Sequence, residues 1–120
     1  MSEKTDNIRI AEWLGWSDLS VNIVDKELYG KVSPADAYRK KVNGNYTTVD
    51  AHAIALLPAL TIKGYSWGLF DLGGIREEKV EFVVTSLSCD SFYVTRFGST
   101  IASAITKCVL AVIDVEEEKI

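Results

Sequence analysis

The sequence has few of the residues on which common functional motifs depend. It contains one histidine, two cysteines and two prolines in 120 residues, and its formal net charge is -4. No His-x-x-His or Cys-x-x-Cys pair favours a metal site, and no Gly-x-x-x-x-Gly-Lys loop favours phosphate binding of that kind. An acidic balance does not favour broad nucleic-acid binding, which usually needs a basic surface. We therefore expect no metal, no cofactor, no catalytic residues and no enzymatic activity.

Long hydrophobic runs are also absent. No run approaches the ~18 residues of a membrane span, and the polar start Met-Ser-Glu-Lys-Thr-Asp-Asn lacks the apolar segment of a secretory signal. Two cysteines without a metal spacing fit reduced thiols. We expect a cytoplasmic protein with no membrane partner. The 48% hydrophobic and 25% charged residues are typical of one globular domain, residues 1–120, with frayed tails at 1–6 and 115–120.

The best-marked helical pattern lies at the centre of the chain, between Tyr46 and Tyr65. Thr47 is predicted to cap the start of the helix, and the Asp50 side chain is predicted to accept a hydrogen bond from the Thr47 backbone N–H, as in a capping box. Gly64 is predicted to end the helix. Pro58 falls inside the pattern, so the helix either kinks there or breaks into two pieces. A kink is favoured because the apolar spacing continues in phase across the proline. The residues of the apolar face are Val49, Ala53, Leu56, Leu57 and Leu60.

The other elements predict an α+β fold. A short helix over 7–14, capped by Thr5 or Asp6, precedes the central helix. Alternating patterns predict strands at 65–71, 79–87 and 91–97, and their short connections, including 88–90, predict an antiparallel meander. A final helix begins at Ser99 or Thr100 and runs to about Asp114. The expected order is helix, irregular arm, helix, three strands and helix. The sheet has three strands, or four if the arm adds one.

The arm, residues 17–45, has the least regular pattern. We expect an edge strand at 21–24, a turn at 28–30, a short helix from Ser33 to Lys40 and a turn at 43–45. Long irregular segments in compact domains are often functional.

A basic cluster in the arm is the main candidate binding site. Aromatic rings beside cations can hold a nucleotide or another phosphorylated ligand by stacking and by charge-assisted hydrogen bonds. The alternative is a solvated helix end. Arg96, on the third strand, is either a further anion contact or a charge that protects a sheet edge. The predicted ligand-binding residues are Tyr38, Arg39, Lys40, Lys41, Tyr46 and Arg96.

Two further features leave alternatives open. Trp13 and Trp16 either cover the core or form an interface with another subunit, since tryptophan is enriched at interface hot spots. Three tryptophans exceed what this core needs, so we expect a homo-oligomer. His52, the single histidine, is expected to be a surface or half-buried helix residue, with a general base as the minority alternative.

Four segments carry a resemblance to a known family. They are Ile10-Ala11-Glu12-Trp13-Leu14-Gly15-Trp16, Tyr46-Thr47-Thr48-Val49-Asp50-Ala51, Lys63-Gly64-Tyr65 and the final helix from Ser99 to Leu110. Together they resemble the phage ABA-sandwich domain, a family of small phage-encoded proteins. The family's last helix usually has a Thr-x-x-x-Ala-Ile-Cys-x-Ala-x-Leu rhythm, from which this chain departs because Thr106 and Lys107 displace Cys108. The resemblance implies an antiparallel sheet with helices and a phage origin, and supplies no catalytic residues.

The functional expectation combines the resemblance with the basic cluster. It is a small, non-enzymatic, phage-encoded binding protein of the bacterial cytoplasm that counters host defence by sequestering a nucleotide-type signal. The alternative is a protein-interaction module that binds and inhibits a host or phage protein through Trp13, Trp16 and the edge strand.

Overall fold

The computed structural model describes residues 5–33, 35–42, 44–73, 77–86 and 92–118. Within them the chain forms two three-stranded antiparallel sheets packed with helices, which confirms the predicted α+β class. The helices are α1 (Asp6–Trp13), α2 (Asp50–Ile54), α3 (Leu57–Ile62) and α4 (Ile101–Glu118). The strands are β1 (Ser17–Val21), β2 (Leu28–Lys31), β3 (Lys40–Lys41), β4 (Tyr65–Asp71), β5 (Val80–Ser86) and β6 (Tyr93–Gly98).

Helix α1 follows its sequence signals and docks on α4. The Thr5 hydroxyl accepts a hydrogen bond from the Ile8 N–H at 3.3 Å, and Gly15 after the helix has a φ of 104°. Ile10 is fully buried, and Arg9 forms an ion pair with Asp114 of α4 at 2.5 Å. An eight-residue helix is marginal alone, so this packing is what stabilises it.

The first half of the arm differs from the prediction. The strand expected at 21–24 lies at Ser17–Val21, and the turn expected at 28–30 is strand β2. Residues 22–27 form the turn, in which the Asn22 side chain accepts a hydrogen bond from the Val24 N–H at 2.7 Å. Asparagine favours such local bonds over a continuing strand.

The second half of the arm contains no helix in its described residues. The Asp36 carboxylate accepts hydrogen bonds from the N–H groups of Val32 and Ser33, both at 3.1 Å, and holds a turn instead. Lys40 and Lys41 then pair with β2 as a short strand. The arm is therefore a sheet of its own and adds no strand to the meander. Pro34 and Asn43 lie outside the described residues.

The central helix is broken rather than kinked. Pro58 lies in the first turn of α3, where its missing N–H is not needed. Thr47 does not cap α2, whose N-cap residue Val49 makes no side-chain bond. Asp50 instead accepts the Ala102 N–H at 2.9 Å and so caps α4, which makes the predicted capping box wrong. Gly64, with a φ of 94°, ends α3 as predicted.

The meander β4-β5-β6 is confirmed, and α4 covers one of its faces. Phe82 and Val84 of β5 are fully buried on that side. The Cys108 thiol of α4 donates to the Phe82 carbonyl at 3.0 Å, and burial raises the pKa of Cys108 to about 11. Helix α4 continues beyond the expected end at Asp114, so residues 115–118 are helical. Cys89 and the connection predicted at 88–90 lie outside the described residues.

A hydrogen bond between residues distant in sequence joins α4 to the segment before α2. Thr106 of α4 is buried, and its hydroxyl lies 2.7 Å from the Tyr46 carbonyl and 2.6 Å from the Ala102 carbonyl. No helix in the described part of the chain is long and apolar enough to cross a membrane.

Candidate functional site

One of the two aromatic rings predicted for the binding site in the arm, Tyr46, is not accessible to a ligand. Tyr46 is only 3% exposed, and desolvation raises the pKa of its hydroxyl to about 12. Its side chain belongs to the core, where it packs among apolar residues from several elements. The expectation that Tyr46 stacks on a ligand therefore does not fit the structure.

Arg39 in the same cluster is bound within the chain. Its guanidinium contacts the Asp18 carboxylate at 2.6 Å, and Lys31 approaches that carboxylate at 3.8 Å. The Arg39 hydrogen bond lowers the pKa of Asp18, and the same bond raises the pKa of Arg39. Arg39 thus joins the segment before β3 to β1 and is not a free cation.

The remaining predicted residues are divided between two sheets. Tyr38 is 82% exposed, and Lys40 and Lys41 are exposed on β3. Arg96 lies on β6 in the other sheet and donates to the Thr95 carbonyl at 2.8 Å. Tyr38, Lys40 and Lys41 stay exposed, but successive side chains of β3 point to opposite faces, and the structure does not build a site from all six residues.

Trp13 and Trp16 are both half-buried and pack against the core. The Trp13 indole N–H donates to the Glu116 carboxylate at 2.8 Å, and the Lys63 ammonium lies 4.8 Å from the centre of a Trp13 ring. Trp13 therefore has partners within its own chain. An interface role for either tryptophan stays a prediction.

His52, half-buried on α2, accepts the Asn45 N–H on Nδ1 at 3.1 Å.

A different surface stands out, the side of the second sheet that faces away from α4. We call it the outer face. Because side chains alternate along a strand, every second residue of β4, β5 and β6 points there. The strand register arranges these residues in three rows across the sheet. The rows are Phe70-Glu81-Phe97, Gly68-Val83-Thr95 and Ser66-Thr85-Tyr93.

The outer face carries three aromatic side chains that remain open to solvent. Phe70 is 52% exposed, Tyr93 64% and Phe97 37%. Val83 lies between them and is half-buried. Helix α4 packs on β5 and β6 from the opposite face, where the Cys108 thiol contacts the Phe82 carbonyl. Several exposed aromatic residues on one sheet face are typical of sites that bind another molecule.

A groove of about 450 Å³ lies on the outer face between β4 and β5. Gly68 creates the hollow because it has no side chain. The Phe70 ring leans over it, since a Cβ at Gly68 would lie 3.0 Å from the ring carbon Cε2. Glu81 and Tyr93 also line the groove. The groove therefore has a mixed lining of aromatic rings, hydroxyls and a carboxylate.

The polar groups of the outer face differ in how well they are satisfied. The hydroxyls of Ser66 and Thr85 are hydrogen-bonded to each other at 2.8 Å. The Thr95 hydroxyl is enclosed and has no hydrogen-bond partner among the described residues. Glu81 makes no ion pair with any described cation. Within the described residues, Glu81 is therefore a carboxylate without an ion pair, in the same row as Phe70 and Phe97.

Sequence reasoning found these strands but did not identify the face. The alternation places Ser66, Gly68 and Phe70 opposite Tyr65, Trp67 and Leu69, so aromatic residues occupy both sides of β4. The available signal for a binding face was Phe70, an aromatic residue on the side of β4 opposite Tyr65, Trp67 and Leu69. It was not decisive, because a sequence does not show which faces remain uncovered.

A second cavity, of about 480 Å³, lies where α4 begins, and Asp50, Asp71, Lys79 and Thr100 are among its lining residues. Two of its polar groups already serve the helix, since Asp50 accepts the Ala102 N–H and Thr100 the Ser103 N–H. Among the described residues, no three His, Cys, Asp or Glu side chains converge as metal ligands.

Comparison of the chain with family models, with curated proteins and with solved structures found no match. The resemblance to the phage ABA-sandwich domain therefore stays a prediction.

Proposed function

We propose that this chain is a non-enzymatic protein-binding module whose outer face receives a segment of a partner protein. The observation that carries the proposal is the set of exposed aromatic residues Phe70, Tyr93 and Phe97 on one open sheet face. Aromatic side chains provide much of the binding energy at protein interfaces. The resemblance to phage proteins supplies the setting, in which the module occupies and inhibits a host or phage protein in the bacterial cytoplasm.

The size of the face favours a narrow segment over a second copy of the chain. Three strands span roughly 14 Å, and six residues along a strand span roughly 20 Å. A stable interface covers about 800 Å² on each partner, which is far more than this area. Face-to-face pairing of two copies would also bury Glu81 without a cation, at a substantial desolvation cost. An extended or looped segment fits the narrower area of this face.

Selection of random displayed peptides on the purified protein tests the proposal. The face variant is Phe70→Ser/Tyr93→Ser, and the control variant is Ile23→Ser/Val24→Ser. Ile23 and Val24 are 84% and 88% exposed in the turn between β1 and β2, so the control also removes exposed apolar surface. We expect the selected peptides to bind the face variant at least about tenfold more weakly and the control with unchanged affinity.

Two outcomes contradict the proposal. One is a set of peptides whose affinity is unaffected by the face variant. The other is a dimer, measured by size-exclusion chromatography with light scattering, that becomes monomeric in the face variant. The second outcome would assign the outer face to a second copy of the chain.

A second candidate function, sequestering a nucleotide-type signal, is supported by the exposed Tyr38 beside Lys40 and Lys41. Among the described residues, neither lysine lies within ion-pair distance of a carboxylate, although the charge of Lys41 contributes to lowering the pKa of Asp25. A nucleotide at a hundredfold excess over its dissociation constant should stabilise the fold by about 2.7 kcal/mol. Thermal unfolding against a panel of cyclic and linear nucleotides measures this, with Lys40→Ala/Lys41→Ala expected to abolish the shift and Lys79→Ala to preserve it. A panel without any shift removes this candidate.

A further inference from the structure

Glu81 has an unusual place on the outer face. The strand register puts it directly between Phe70 of β4 and Phe97 of β6. Side chains at directly opposite positions lie about 5 Å apart at Cβ, so Phe70 and Phe97 are the cross-strand neighbours of Glu81. No described cation is within ion-pair distance of it. A carboxylate with two aromatic cross-strand neighbours matches a cation that is also planar.

We propose, resting on the proposed function, that the outer face recognises an arginine side chain of the partner next to an apolar residue. The guanidinium pairs with Glu81 and stacks against Phe70 or Phe97. Arginine fits better than lysine because its guanidinium is flat, binds a carboxylate through two N–H groups and stacks on aromatic faces. Aromatic rings also attract cations through their negative faces.

Charge supports this occupant over a purely apolar one. An apolar segment laid across the face would remove water from Glu81 and give nothing in return, which costs free energy. An arginine compensates that loss at the same position. The chain carries a formal net charge of -4, so its overall field also favours the approach of a cationic segment.

The groove supplies the place for the neighbouring apolar side chain. Its hollow at Gly68 lies in the row next to Glu81, with Val83 beside it on β5. A side chain entering there meets the Phe70 ring, and Tyr93 lines the groove further along. The cation position and the apolar position are therefore adjacent, as neighbouring residues of a partner segment would require.

The test uses the probe N-acetyl-Phe-Arg-amide and its neutral isostere, in which citrulline replaces arginine. Binding is followed by the backbone amide shifts of the ¹⁵N-labelled protein. We expect the arginine probe to shift amides at Gly68, Glu81 and Val83 and to bind about fivefold more tightly than the citrulline probe at low salt. The preference should fall as salt is added. Glu81→Gln should abolish it, whereas Glu118→Gln, the same charge change at the end of α4, should leave it intact.

The outcomes separate this inference from the function on which it rests. If both probes shift the outer-face amides equally, the face binds apolar groups, the proposed function stands and the arginine inference is overturned. If the arginine preference survives Glu81→Gln, or no outer-face amide responds to either probe, the inference is also overturned. Failure of the proposed function is judged separately. It would be shown by displayed peptides that bind the face variant as tightly as the unchanged protein.

Discussion

Replacing Phe82 with alanine is expected to lower the free energy of unfolding by about 3–5 kcal/mol. Phe82 is fully buried between the second sheet and α4, and its ring stacks on Trp67 with 6.1 Å between centroids. Its removal leaves a cavity where helix and sheet meet, which loses both the apolar burial and the ring contacts. Urea unfolding followed by tryptophan fluorescence measures the change. A loss of this size is a large part of the 5–15 kcal/mol typical of whole proteins.

The matched control is Phe70→Ala, which removes the same ring from the neighbouring strand on the opposite face. Because Phe70 is about half exposed, we expect this variant to lose no more than about 1 kcal/mol. The contrast between the two phenylalanines measures which side of the sheet is covered. Equal losses would mean that the outer face is not open, and the proposed binding surface would lose its basis.

Gly98→Ala is expected to destabilise the protein by about 1–3 kcal/mol through overpacking. Gly98 is the last residue of β6, where the chain turns into α4. A Cβ there would lie 2.6 Å from the backbone nitrogen of Ala104 and 2.8 Å from the Ser103 hydroxyl oxygen. The nearest atom belongs to the helix backbone, so α4 itself would have to move. Urea unfolding of the variant gives the free energy directly.

Gly68→Ala is the control for this substitution, since it adds the same methyl group to a strand of the same sheet. There the Cβ meets only the Phe70 ring, at 3.0 Å, and a half-exposed ring can swing aside. We expect a change within about 0.5 kcal/mol, because alanine also restricts the unfolded chain more than glycine does. If Gly98→Ala proves as mild as Gly68→Ala, α4 does not pack on the end of β6 as described.

Local signals predicted the second sheet and the ends of several helices. The alternation of Tyr65, Trp67 and Leu69 with Ser66, Gly68 and Phe70 was sufficient to place β4 residue for residue. Thr5 and Gly15 marked the ends of α1 because caps act within a few residues. In these elements the deciding contacts lie close together in sequence.

The errors occur where the deciding contact is distant in sequence or has a local competitor. Asp50 looked like part of a capping box, but its hydrogen-bond partner is Ala102, 52 residues away. Arg39 looked like a free cation, but Asp18, 21 residues earlier, binds it. In the arm, the side chains of Asn22 and Asp36 bind backbone N–H groups and create turns where a strand and a helix were expected. The sequence contained these residues but did not show their partners.

The candidate site could be predicted only in part for a related reason. The residues of the outer face are visible in the strand patterns, and their cross-strand rows follow once the register is known. What a pattern does not show is that α4 covers the other face, or that Glu81 has no cation beside it among the described residues.

The most direct test of the protein-binding account is a map of amide shifts when a selected displayed peptide is added to the ¹⁵N-labelled protein. The account predicts that the largest shifts fall on the outer-face strands, at residues 66–70, 81–85 and 93–97. Shifts concentrated instead at residues 38–41 of the arm, or at the 23–24 turn, would contradict it.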